Sequence, residues 1–239
     1  MKIKHIIRTI LNFLYLDITK NLEYDRLTKL IIKKTLHQNS VCIDIGCHKG
    51  EILDLMLQQS PQGGHYGFEP IPQLYKNLVE KYTPANNIFP YALADKCGKA
   101  NFQFVKNDPA YSGLQKRKYA IDNPEIEEIE VEIYTLDSIV PENTKIDFIK
   151  IDVEGAELDV LKGAKRVLTE NKPIVVFECG LGASDFYGTK PEEVFDFFKE
   201  TGLNISLLKS WLNHKKPLLL NEFCNFYNKN SEYYFIAHP

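Results

Sequence analysis

The chain predicts an α/β fold built on a mostly parallel, doubly wound sheet. Two observations point there. Short apolar runs that end in an acid alternate with segments whose apolar residues recur at helical spacing. In addition, the run Val41-Cys-Ile-Asp-Ile45 passes through two glycines, Gly46 and Gly50, directly into such a segment. A buried strand, a tight turn and a helix start in that order form the first half of a parallel unit. With 239 residues the chain holds one such domain with additions.

The elements follow in order. Leu22, Leu27, Leu30, Ile31 and Leu36 share a helical spacing, so residues 22–37 form a helical lead-in with a basic outer face. After the first strand and its glycine turn, residues 51–58 form a helix. His65-Tyr-Gly-Phe-Glu-Pro70 is a second short strand that ends in Glu69, and residues 73–82 are a helix. Residues 87–94 form a third strand, although Pro90 inside it can donate no hydrogen bond. Alternation in residues 100–105 and 129–134 marks an antiparallel excursion. The polar loop between them, residues 106–128, is long enough to carry function. The rhythm resumes with a strand at 146–152, a helix at 156–168, a strand at 173–179 and a helix at 191–201, where Pro191 suits the first turn. Strands at 205–208 and 233–237 close the chain, with residues 211–230 a loop between them. The organisation is therefore a helical extension over 1–39 and a domain over 40–239 with a hairpin or lid insertion at 100–134.

Composition narrows the partners. A formal charge of −3 argues against a protein that coats nucleic acid and leaves room only for a local basic patch. Five cysteines form no C-x-x-C pair and are odd in number, which reads as reduced thiols in a cytoplasmic chain. Residues 1–16 resemble a signal peptide only faintly, since Arg8, Thr9 and Asn12 interrupt the apolar run and no small-residue cleavage site follows. They read as a cap packed on the domain, or as a basic amphipathic helix that meets a membrane surface or a partner.

Four strands end in acids: Asp44, Glu69, Asp152 and Glu178. A parallel sheet brings those ends to one edge, where such folds bind ligands. A buried carboxylate without a partner is costly, so these acids need a task. The glycine spacing Asp44-x-Gly46-x-x-x-Gly50 lacks the three-glycine fingerprint of dinucleotide enzymes. It also lacks a P-loop, because Lys49 precedes Gly50 and no Ser or Thr follows. A nucleoside ligand with a sulfonium in place of a pyrophosphate fits better. Asp44 can face an amino group, and Glu69 can accept hydrogen bonds from a ribose diol. The plain alternative for Glu69 is an acid that caps the helix near Pro72.

Five motifs then occur in order: Asp44-Ile-Gly-Cys-His-Lys-Gly50, Gly67-Phe-Glu-Pro70, Ala92-Leu-Ala-Asp95 with Gly98, Thr135-Leu-Asp-Ser138 and Ile149-Lys-Ile-Asp-Val-Glu-Gly-Ala-Glu157. Together they resemble the FkbM-type methyltransferases. The resemblance spans about residues 40–180, runs on toward the end of the chain, and leaves the residues before about 40 outside. One departure stands in the first motif, where His48 occupies the middle position of the generic glycine turn. The resemblance implies a Rossmann-like class I methyltransferase with a seven-stranded sheet and a late antiparallel strand. It implies S-adenosyl-L-methionine as cofactor and transfer of a methyl group to a hydroxyl, on a saccharide of surface polysaccharides or on a secondary metabolite.

On that reading the cofactor set is Asp44, Gly46, Cys47, His48, Gly50, Glu69, Pro70, Ala92, Leu93 and Asp95. Asp152 is the first candidate for the base, with Glu154 and Glu178 beside it. Alternation along the strand aims Lys150 like Asp152, so the two can pair. A divalent metal held by Asp152 and Glu178 is an alternative way to lower the pKa of the acceptor hydroxyl. Lys150, Glu157, Tyr111 and Ser112 are the substrate-side candidates, with Gly113 a possible hinge of the loop. Glu157 would otherwise cap the following helix. The run Lys116-Arg-Lys118 either steers an anionic acceptor or is a solvated face. An N-methyltransferase, a protein acceptor and a non-catalytic cofactor-binding module remain the competing readings. The expected partner is a small-molecule or glycan acceptor; oligomeric state is unspecified.

Overall fold

The computed structural model describes residues 19–82, 87–119 and 121–239. The basic segment 1–16 lies outside them. Helix α1 (Lys20–Thr35) starts at Thr19, whose hydroxyl accepts from the Leu22 N–H. Strand β1 (Cys42–Ile45), helix α2 (Glu51–Gln59), β2 (Tyr66–Phe68) and α3 (Pro72–Tyr82) follow, then the short strands β3 (Asn87–Phe89) and β4 (Tyr91–Leu93). Next come β5 (Gly98–Val105), β6 (Ile126–Tyr134), α4 (Leu136–Ile139), β7 (Phe148–Ile151), α5 (Glu157–Lys162), α6 (Lys165–Asn171) and β8 (Ile174–Glu178). The chain ends in α7 (Pro191–Glu200), β9 (Asn204–Leu207), α8 (Leu208–Leu212), α9 (Leu220–Asn228) and β10 (Tyr234–His238).

Seven strands form one sheet in the order β3-β2-β1-β7-β8-β10-β9. The first five are parallel. β10 runs antiparallel to both of its neighbours. Both faces of this sheet are covered, as parallel sheets require. The division follows the two-residue alternation along each strand. On β8, Val175 and Phe177 belong to a core with Ile149, Ile151 and Phe198, whereas Val176 belongs to a second core with Ile31, Ile32 and Met56. Burying each such side chain is worth about 1.5–3 kcal/mol.

Three expectations change. The strand predicted at 87–94 is two strands in two sheets: β3 pairs with β2, while β4 pairs with β6 in a separate three-stranded sheet ordered β4-β6-β5. Pro90 sits at the break, where a residue without an N–H fits because no ladder runs through it. The helix predicted at 156–168 is interrupted at Gly163 and Ala164. Its second part starts afresh because the Asp137 carboxylate accepts from the Arg166 and Val167 N–H groups, at 2.7 and 3.0 Å. The loop predicted at 211–230 contains α9, whose Phe223 and Tyr227 are buried one turn apart. Asparagines at 221, 225 and 228 weaken its intrinsic helical signal, and packing against the core supplies the rest.

Candidate active site

The turn after β1 is shaped by Gly46, which has a left-handed φ of 79°. A Cβ there would lie 2.0 Å from the carbonyl oxygen of Asp152, so only glycine fits. The N–H groups of Gly46 and Cys47 both donate to the Phe68 carbonyl at 3.0 Å. Glu69 closes the turn from the other side: one oxygen accepts from the His48 N–H at 2.8 Å and the other from the Ile71 N–H at 2.9 Å. Burial pushes the Glu69 carboxyl up to about 7, against the pull of these two amides. His48 adopts a left-handed φ of 49°, and burial lowers its pKa, so its ring is neutral at neutral pH.

These residues line a cleft of about 980 Å³ at the carboxyl ends of the parallel strands. Of the predicted cofactor set, Asp44, Gly46, Cys47, His48, Glu69, Pro70, Ala92 and Leu93 border it. Gly50 and Asp95 do not. Gly50 is the left-handed N-cap of α2 and packs against the Tyr82 hydroxyl, which donates to its carbonyl. Asp95 is exposed on the turn after β4, beyond the cleft. Phe68, Ile71 and Phe102 add the apolar lining of this end.

The charged centre follows from strand register. Asp44 on β1 lies opposite Lys150 on β7, and neighbours in register share a face of the sheet. Asp152 lies two residues beyond Lys150, on the same face. The buried Lys150 ammonium accordingly stands 3.3 Å from Asp152 and 3.8 Å from Asp44, and donates to the Gly46 carbonyl at 3.3 Å. The expected pairing with Asp152 is there. Its consequence is that Lys150 is committed to two acids.

Burial raises the pKa of Asp44 to about 6, with Lys150 opposing. Asp152 goes the other way. Burial pushes it up, but the Lys150 charge and a 2.5 Å hydrogen bond from the Tyr234 hydroxyl outweigh that and hold it below its ordinary range. Glu178, half-buried beside Asp152 and Glu154, is raised well above its ordinary range by desolvation and by these neighbouring carboxylates. One oxygen each of Asp152, Glu154 and Glu178 lies within 4.8 Å of the other two. Asp152 thus holds its charge, and Glu178 is the neighbour that binds a proton more tightly.

The loop 106–128 meets this centre. Arg117 pairs with Glu154 and donates to the Gly182 carbonyl at 3.2 Å, while its guanidinium stacks over Tyr111 at 5.1 Å. The middle of the basic run is therefore buried and spoken for; Lys116 and Lys118 are exposed. Tyr111 and Ser112 border the cleft, but the Ser112 hydroxyl also accepts from the Val105 N–H at 3.0 Å. Gly113 exchanges both backbone hydrogen bonds with Gln103, at 2.8 and 3.3 Å, so it is pinned and does not serve as a hinge. Glu157 is buried outside the cleft, with one oxygen accepting from the Val153 and Gly155 N–H groups. Its task is to hold the turn that carries Glu154, which leaves no substrate contact for it.

Sequence reasoning missed Tyr234 and the inward pairing of Arg117 with Glu154. Tyr234 reads as an ordinary strand residue, and only the antiparallel pairing of β10 with β8, which places it opposite Glu178, brings it to the centre. The cleft also fits the implied cofactor. Both carboxylate oxygens of Asp44 and the Nε2 of His48 are buried in its lining without hydrogen-bond partners. A ligand with an ammonium group and a ribose diol supplies partners of the right kind.

Comparison with known proteins agrees with this architecture. Methyltransferase FkbM from Methylobacillus flagellatus KT superposes with a TM-score of 0.53 at 16% identity, over 85% of this chain and 44% of that one. The fold is that of the class I methyltransferases. The methyltransferase FkbM domain matches residues 44–204, and the chain belongs to that family. It is also 29% identical over 150 residues to the 2-O-methyltransferase NoeI of Sinorhizobium fredii (strain NBRC 101917 / NGR234), a match that takes in 55% of this chain and 60% of that protein. The chain spans less than two thirds of the length of these relatives.

Proposed function

We propose that the protein is an S-adenosylmethionine-dependent O-methyltransferase acting on a hydroxyl of a saccharide or related small molecule. The observation that carries this reading is the convergence of Asp44, Glu69, Asp152 and Glu178 on one cleft beside the Gly46 turn. Family membership and the printed activity of the NoeI relative support it. When bound, the cofactor supplies a methyl group activated on a sulfonium. Asp44 would meet its amino group and Glu69 its ribose hydroxyls, through the lone pairs that the His48 and Ile71 amides leave open. Phe68, Ile71 and Phe102 would exclude water from this end. At the other end the Asp152–Glu178 pair accepts the acceptor's hydroxyl proton, on Glu178 once it has lost its own.

A divalent ion on Asp152, Glu154 and Glu178 is the competing arrangement. Against it, Lys150 and Arg117 already balance Asp152 and Glu154. Titration with Mn²⁺ monitored by electron paramagnetic resonance distinguishes the two. A cytoplasmic location is supported by five unpaired cysteines. Among the described residues, no helix is long and apolar enough to cross a membrane.

The test is calorimetric titration with S-adenosylhomocysteine beside Asp44→Ala. Micromolar binding that the substitution abolishes is expected. Unchanged binding in Asp44→Ala removes the assigned cofactor site, and no binding to the wild type removes the reading as a whole.

A further inference from the structure

The cleft is not enclosed by the family-matched segment alone. Helix α1 precedes residue 44, where that match begins, yet Asn21, Tyr24, Thr28 and Lys29 all line the cleft. They do so beside Asn230, Tyr233 and Tyr234 from the end of the chain. The two segments are locked together. The Tyr24 and Tyr234 rings stack at 5.1 Å, and Tyr233 meets Tyr24 edge-on at 4.9 Å. The Tyr233 hydroxyl donates to the Asn21 side chain at 2.5 Å. The Tyr24 hydroxyl donates to Glu232 at 2.6 Å, and Lys20 pairs with the other oxygen of the same carboxylate.

This composite wall is placed against the proton-exchanging acids. Tyr234 passes its hydroxyl hydrogen bond to Asp152. Gly180, two residues beyond Glu178, gives Tyr233 its room: a Cβ there would lie 2.6 Å from the Tyr233 Cβ and 3.5 Å from the Asn230 side-chain oxygen. The wall thus stands at the Asp152–Glu178 end of the cleft, opposite the end occupied by Glu69, Ile71 and Phe102. Its chemistry is two carboxamides, a buried threonine, the buried Tyr24 ring and the partly exposed rings of Tyr233 and Tyr234, with Lys29 half-buried beside them. Apolar ring faces framed by amide donors and acceptors suit a polyhydroxylated ring, which presents C–H faces and a rim of hydroxyls.

Resting on the methyltransferase reading above, we propose that α1 and the 230–234 segment form the acceptor subsite. Asn21 and Asn230 are its specificity-determining residues, and Tyr24 and Tyr234 position the wall against Asp152. The substrate class is a polyhydroxylated ring, held so that one hydroxyl meets the Asp152–Glu178 pair.

The experiment uses the full chain and its variants Asn21→Ala and Asn230→Ala, both at exposed positions whose loss leaves the core intact. Two quantities are read: calorimetric Kd for S-adenosylhomocysteine, and methyl transfer from radiolabelled S-adenosylmethionine to methyl glycosides of the common hexoses, 6-deoxyhexoses and hexuronic acids. The expected result is transfer to at least one glycoside by the wild type, with KM raised about tenfold in each variant and Kd for S-adenosylhomocysteine within twofold. One lost hydrogen bond of about 1.4 kcal/mol gives that factor. KM within twofold of wild type in both variants overturns the subsite. A wild type that binds S-adenosylhomocysteine but methylates none of the glycosides overturns the assigned substrate class and leaves the cofactor reading standing. A wild type that does not bind S-adenosylhomocysteine overturns the function on which the subsite rests.

Discussion

Replacing Lys150 by Met tests the electrostatic centre most directly. The substitution keeps a long apolar stem and removes the charge that stands 3.3 Å from Asp152 and 3.8 Å from Asp44. All three residues are buried or nearly so, and removing one partner of such a group costs about 3–5 kcal/mol. At this chain length each kcal/mol moves Tm by about 2–4 °C, so Tm should fall by about 6–20 °C at pH 8. The pH dependence fixes the cause. In the wild type the Asp152 pKa is depressed, so its stabilisation is present above its unfolded value and is lost only as pH falls through the folded one. Asp44 is raised from 3.8 to about 6, so keeping it ionised at neutral pH already costs about 3 kcal/mol. Without Lys150 both pKa values climb, both carboxyls take up protons on acidification, and the penalty shrinks. Lys150→Met should therefore lose most stability at pH 8 and little at pH 5, as read by urea denaturation at the two values. An equal loss at both would refute the argument, because a packing defect is indifferent to pH.

Other perturbations follow from the same geometry. Glu178 carries a raised pKa, so the proton-accepting form grows as pH rises, and methyl transfer should climb with pH above the ordinary carboxyl range; Glu178→Gln should flatten that limb and lower kcat by about 10²-fold or more, measured in initial rates. Gly46→Ala forces a left-handed residue against the Asp152 carbonyl and should cost at least about 2 kcal/mol, visible as a lower urea midpoint with an unchanged m value. Glu69→Gln keeps one acceptor for the His48 or Ile71 amide but puts an N–H against the other; S-adenosylhomocysteine affinity should drop by about tenfold or more in calorimetry, and unchanged affinity would remove Glu69 from the cofactor site.

Much of this arrangement is legible in the chain itself. The acids at 44, 69, 152 and 178 mark strand ends because an apolar run that stops at a carboxylate is a strand entering a polar space. The sheet then brings the four together on one cleft. Lys150 and Asp152 share a face by simple alternation, so their contact is predictable, whereas the contact of Lys150 with Asp44 depends on a register between strands more than a hundred residues apart. Arg117 shows the limit. Three consecutive basic residues look like a solvated face, and nothing local says that the middle one turns inward to meet Glu154. Tyr234 and the α1 wall are invisible for the same reason, since the partner of Tyr234 lies 82 residues away and that of Tyr24 lies 208 residues away. Glu157 misleads differently: its neighbours are catalytic candidates, but the backbone amides of its own turn take it first.

Pro90 separates two hydrogen-bond ladders that would otherwise be continuous. β3 is bound into the seven-stranded sheet and β4 into the three-stranded one, with a residue between them that can pass no pairing across. The backbone pairing of the small sheet is in this sense independent of that of the large one. A change of register between β5 and β6 therefore has no hydrogen-bond ladder through which to reach β1, β7 and β8. The acids of the cleft are thereby held by one ladder, and the Phe102 side of its lining by another.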